Sequence, residues 1–193
     1  MKKILVCLSL FLLLAVGCTN TMNTPTKKVE ELLGKYQKMD STVLAQLDSV
    51  ISEDVNMSDE QKKEYRSLME KQYQNLSYKV KNEEIKGNNA TVDVEIEVFD
   101  YATSIAESRK YYSEHKDEFK DEEKDDNTVG EKVEEAIDKS SKYIDYKIKQ
   151  LKNVTDKKKY DITFNLSKDE DGIWKLDDIS DIDRQKIHGL YED

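Results

Sequence analysis

The chain has 193 residues, 41 acidic against 31 basic side chains, and a formal net charge of −10. Such a surface repels a phosphate backbone, so no nucleic acid is expected as a partner. Only Cys7 and Cys18 are cysteines, and the ~175 residues from Cys18 onward suffice for one domain with a core.

At the N-terminus Lys2 and Lys3 precede an apolar run over residues 4–16, and Gly17 then meets Cys18. This is the layout of a secretory signal, and the run is shorter than the roughly 20 apolar residues that cross a bilayer. The stretch Leu14-Ala15-Val16-Gly17-Cys18 resembles the lipobox of bacterial lipoproteins. The resemblance implies removal of residues 1–17 by cleavage between Gly17 and Cys18, and a diacylglycerol on the Cys18 sulfur. Each buried methylene of that lipid contributes about 0.8 kcal/mol, so two chains hold the protein on the extracytoplasmic face of the cell membrane. Cys7 would leave with the signal and Cys18 would be acylated, which excludes disulfides, thiol catalysis and thiolate metal sites. An acidic body should stand off an anionic bilayer, with the lipid as the membrane contact. Residues 18–26, the lipidated cysteine and a polar stretch with Asn20, Asn23 and Pro25, read as a tether.

Thr24 before Pro25 starts a helix, with Val29, Leu32, Leu33 and Tyr36 on one face. A second helix begins at Asp40 or Ser41 and carries Val43, Leu44, Leu47, Val50 and Ile51. Ser58-Asp59-Glu60-Gln61 matches a capping box, and Tyr65, Leu68, Met69, Gln72 and Tyr73 continue that helix. At Tyr78 the period changes. After the turn Gly87-Asn88-Asn89, Ala90, Val92, Val94, Ile96 and Val98 alternate with Thr91, Asp93, Glu95 and Glu97, which predicts a hairpin with one wet face. Helical spacing returns in Ile105, Ala106, Arg109 and Tyr112, then gives way to a charged loop over residues 114–127. Val129, Val133, Ile137, Ile144, Ile148 and Leu151 form a long helical stripe, broken at Ser140 and Ser141. Tyr160, Ile162, Phe164 and Leu166, the turn Asp169-Glu170-Asp171-Gly172, and Ile173, Trp174 and Leu176 make a second hairpin.

Helices, a hairpin, a helical stretch and a second hairpin give an α+β class with an antiparallel sheet. This order, with the phrases Gly87-Asn88-Asn89-Ala90-Thr91-Val92 and Asp171-Gly172-Ile173-Trp174-Lys175-Leu176, resembles lipoproteins of Gram-positive bacteria that form a family of unknown function. Their domain is similar to nuclear transport factor 2 or cystatin. The resemblance implies a single domain over residues 27–193, with N-terminal helices on a curved sheet around a cone-shaped cavity. Residues 102–154 would be a helical insert longer than the minimal fold carries.

Asp100 and Tyr101, ending the strongest strand, could offer a base and a phenol at a cavity mouth, or be a polar strand end and a packed tyrosine. Trp174 reads as core or as the rim of a pocket. These three are the candidate pocket residues. His115 and His188, in a charged loop and near the C-terminus, are expected to be solvent-exposed bystanders. The acidic run Asp121, Glu123, Asp125, Asn127 lacks the turn glycine of a calcium loop and has Lys132 in place of the closing glutamate. Asp169, Asp171, Asp177, Asp178, Asp181 and Asp183 could gather a divalent ion, but lone acidic turns usually only turn, and neither metal nor cofactor is expected. Phosphate-loop and nucleophile-elbow motifs are missing from the sequence. Eleven tyrosines against four phenylalanines suit surfaces that are apolar in body and polar at the tip. The expectation is a lipid-anchored extracytoplasmic binding or accessory domain without catalytic activity, meeting an envelope protein or a small apolar ligand. The alternatives are a small hydrolase or isomerase using Asp100 or another cavity carboxylate, and an immunity or structural protein docking through the helix over residues 129–151.

Overall fold

A computed structural model of the chain describes residues 23–119 and 140–192. Gly17, Cys18 and the signal lie outside these residues, as do Val129, Val133, Ile137 and the acidic run from Asp121 to Asn127. Asn23, inside the stretch 18–26, is held against the second hairpin. Its side chain accepts from the Trp174 amide at 2.9 Å and donates to the Gly172 carbonyl at 3.2 Å.

Local signals set the helix starts. The Thr24 hydroxyl accepts from the Lys27 amide at 3.2 Å and Pro25 opens α1 (Pro25–Gln37). Asp40 caps α2 (Ser41–Glu53) through the Thr42 amide at 2.9 Å. Both halves of the capping box form on α3 (Asp59–Asn75): Ser58 Oγ accepts from the Gln61 amide at 3.2 Å, and Gln61 Oε1 accepts from the Ser58 amide at 2.8 Å. Strands β1 (Ser77–Lys86) and β2 (Asn89–Phe99) then make the first hairpin, turning through Gly87 at φ +63°. After it come α4 (Tyr101–Glu114), a 3-10 turn (Lys116–Phe119) and α5 (Ser141–Lys152). Strands β3 (Lys157–Lys168) and β4 (Trp174–Leu176) form the second hairpin, and α6 (Asp181–His188) ends the fold. Among the described residues the class is α+β, six helices with one open antiparallel sheet of four strands in the order β1-β2-β3-β4.

The pairing of β2 with β3 sets Val92 opposite Phe164, Val94 opposite Ile162 and Ile96 opposite Tyr160, so both apolar stripes share one face. That face buries against Val29 and Leu33 of α1, Leu68, Met69 and Tyr73 of α3, Ile144, Ile148 and Leu151 of α5, and Ile187 of α6. Each such aliphatic side chain contributes roughly 1.5–3 kcal/mol through burial. The other face is polar, as its alternation predicts. Glu95 there lies between Lys81 at 2.8 Å and Lys159 at 3.2 Å, and Asp93 accepts from Thr163 Oγ1 at 2.7 Å.

The aliphatic stripes of β2 and β3 and Trp174 fill the space between the sheet and the N-terminal helices. One expectation is corrected. His115 stands at the end of α4 rather than in an open loop: its ring stacks on Tyr111 at 4.0 Å and its Nδ1 is 2.9 Å from the Tyr111 carbonyl. Around it Tyr111, Tyr112, Tyr143, Tyr146 and Phe119 form a second, aromatic cluster joining α4 to α5.

Candidate functional site

Helix α2 buries Val43, Leu47 and Ile51 but holds Val50 out at 69% exposure, and Val55 just beyond its end is 90% exposed. The helix layer is open around it. A cavity of about 500 Å³ lies between the end of α1, α2, α3 and α6, walled by Tyr36, Val43, Leu47, Tyr65, Met69 and Tyr73. A second, of about 550 Å³, lies on the other flank of α2, walled by Val55, Met57, Ile105, Ile144 and Leu151 and rimmed by Glu53, Asp54, Arg109, Lys147 and Glu192. Val50, Tyr65 and Leu190 line both, so the two spaces share a wall. Volumes of this size are those of small-molecule sites, which are mainly apolar with a few oriented polar groups.

The polar groups of the first cavity come from α1, α3 and α6. Tyr73 Oη lies 3.4 Å from His188 Nε2, and the Tyr36 ring meets the Tyr73 ring edge-on at 5.1 Å. Burial raises the phenols of Tyr36 and Tyr73 above their ordinary value, which keeps both neutral. Burial pushes His188 down from 6.5 to about 4, and the positive charge of Arg184 pushes the same way. The imidazole is therefore neutral at pH 7. His188 thus differs from the exposed bystander expected of it, because α6 folds back and lays the ring on Tyr36 and Tyr73.

Gln72 holds α6 in that position. Fully buried, it donates from Nε2 to the Phe99 carbonyl at 3.2 Å and the His188 carbonyl at 2.9 Å, and accepts the Phe99 amide at 2.9 Å through Oε1. Gly189 follows at φ +71°, and its carbonyl accepts from the Ala102 amide at 2.8 Å. A Cβ at Gly189 would overlap Gln72 Nε2 and the Phe99 carbonyl oxygen, so this position takes glycine for space as well as for backbone angle. One signal in the sequence pointed here: a glycine directly after a short capped helix, the pattern of a left-handed helix end.

The candidate residues Asp100, Tyr101 and Trp174 sit elsewhere and line neither cavity. Asp100 is the N-cap of α4, its carboxylate accepting from the Thr103 amide at 3.1 Å and the Thr103 hydroxyl at 2.8 Å. Tyr101 is fully buried, donates to the Leu68 carbonyl at 3.3 Å, and has its phenol pushed up by burial to about 12. Trp174 is core, with the Lys168 ammonium 4.8 Å from its ring centre. Of the acidic residues, Asp181 pairs with Arg184 at 3.0 Å, and Asp183 accepts from the Ser180 hydroxyl at 2.6 Å. Among the described residues no group of three or more His, Cys, Asp or Glu is placed to hold a metal ion. No described helix is long and apolar enough to cross a membrane.

No family model and no curated protein matches the chain. Among solved structures it is similar to a candidate lipoprotein, YcdA, of Bacillus subtilis, with 16% sequence identity and a TM-score of 0.38. The similarity extends over 100% of this chain, which spans 60% of the length of that one.

Proposed function

We propose that the chain is a lipid-anchored, extracytoplasmic binding domain without catalytic activity, which holds a small apolar ligand in the cavity between α2, α3 and α6. The observation that carries this reading is the 500 Å³ apolar space with the polar tips of Tyr36, Tyr73 and His188 converging on it. Burial of apolar ligand surface there contributes about 25 cal/mol per Å², and the neutral tips set its orientation. The anchor rests on the lipobox ending at Cys18. Its tether enters the fold beside the β3–β4 turn, whereas Tyr36 lies eleven residues along α1 from Pro25, about 16 Å of helix at 1.5 Å per residue. The cavity is thereby kept apart from the anchored end.

A photoreactive neutral sixteen-carbon alcohol, added to the acylated chain in nanodiscs of zwitterionic lipid, tests the reading. Peptides from α2, α3 and α6 should carry the label, and Ser49→Trp, which crowds the cavity from the exposed side of α2, should reduce it several-fold. Labelling confined to the tether or spread evenly over the surface would refute it.

A further inference from the structure

The two cavities differ in charge. Around the second, Glu53, Asp54 and Glu192 are set against Arg109 and Lys147, so the rim is mixed. Around the first, Arg184 is the lone charged side chain among the described residues once His188 is neutral, and no described carboxylate lines the space. The field of the Arg184 guanidinium reaches inward, since it opposes the rise of the Tyr36 phenol and adds to the fall of His188. Its own partner, Asp181, is an exposed residue one turn away at 3.0 Å, outside the lining, and exposed pairs of this kind bind weakly in water. An incoming anion can therefore share or take over the guanidinium, with a planar fork that suits a carboxylate. Tyr36 and Tyr73 keep their protons and so can donate to an oxyanion at the same end. Beyond this polar end the walls are Val43, Leu47, Met69 and Tyr65, and the wall shared with the second cavity is Val50, Tyr65 and Leu190. Length is thus available for a chain, with the guanidinium at the end in the first cavity and an apolar wall leading toward the second.

We infer that the ligand is a single-chain carboxylate amphiphile, its head on Arg184 and the Tyr36 and Tyr73 hydroxyls and its tail running under Val50 toward the second cavity. This rests on the reading of the first cavity as an apolar binding site and adds the ligand class. The head needs one positive group and neutral donors, the tail needs a continuous apolar wall, and these are the features that meet at Arg184.

The test uses the acylated chain in zwitterionic nanodiscs at pH 8 with three photoreactive sixteen-carbon probes: a carboxylic acid, the matching alcohol and the matching trimethylammonium. The acid should label α2, α3 and α6 about tenfold more than the alcohol does, and the ammonium least. Arg184→Gln, a change at an exposed side chain, should bring the ratio of acid to alcohol labelling down to about one. Unaltered thermal melting would show that the variant is folded. Equal labelling by acid and alcohol, or preference for the ammonium, overturns the carboxylate assignment and leaves the apolar site standing. A preference for the acid that survives Arg184→Gln overturns the role of Arg184. Absence of labelling by all three overturns this inference together with the reading on which it rests.

Discussion

Replacing Gly189 by alanine probes the join that places His188 in the cavity. Two costs add. An alanine at φ +71° carries about 1 kcal/mol of backbone strain. The added methyl overlaps Gln72 Nε2 and the Phe99 carbonyl, so the buried amide must move. It then no longer donates to the Phe99 and His188 carbonyls, at about 1–3 kcal/mol for a buried polar group left unsatisfied. The sum is about 2–4 kcal/mol, which for a domain of this size lowers Tm by roughly 10 °C. Gly172→Ala is the internal control: that glycine has a similar φ of +73° but open space around the missing Cβ, so only the strain applies, about 1 kcal/mol. Thermal and urea unfolding of both variants, followed by circular dichroism, gives the comparison. If Gly189→Ala were no more costly than Gly172→Ala, the clamp of Gln72 on Phe99 and His188 would not be holding α6.

Protonation of His188 should destabilise the fold: the ring titrates near 6.5 when unfolded and near 4 when folded, so the unfolded chain takes up the proton first as pH falls. Its stabilising contribution is complete above about pH 6.5 and is lost between there and pH 4, a span on the order of 3 kcal/mol; unfolding midpoints of the wild type and His188→Gln across that range should converge, and parallel curves would contradict the burial of the ring. Cys18→Ser should abolish labelling by radioactive palmitate and release the chain from membranes; persistent labelling would remove the lipobox assignment. Ser58→Ala should cost about 1 kcal/mol by breaking the box at the start of α3, read as a lower urea midpoint with an unchanged slope.

Short-range pattern explains the elements that were legible in advance. The capping box at Ser58 and Gln61, the Thr24-Pro25 helix start, the glycine turns and the period-two stripes of β2 and β3 each draw their stabilisation from partners a few residues away or from one repeated side-chain direction. The polar cap of Asp100 on Thr103 is local too, which is why that carboxylate belongs to a helix end. His188 was misread because its neighbours Asp181, Asp183, Arg184 and Lys186 read as a solvated, charged stretch of turn residues where the structure has a helix, and nothing nearby announces the two tyrosines it meets.

The amino-acid order alone therefore determined the α+β class, the two hairpins, the helix caps, which faces are apolar and the expectation of an anchor at Cys18. Tertiary structure decided where the space is. Tyr73 and His188 are 115 residues apart in the chain, and Gln72 and His188 are 116 apart. Whether the helices close on the sheet or stand open around α2 depends on how whole apolar faces pack together, a property of all the elements at once. The sheet side closed because alternating β-branched and aromatic residues fill it. The α2 side stayed open because that helix buries a narrow stripe and leaves Val50 at the wall the two cavities share.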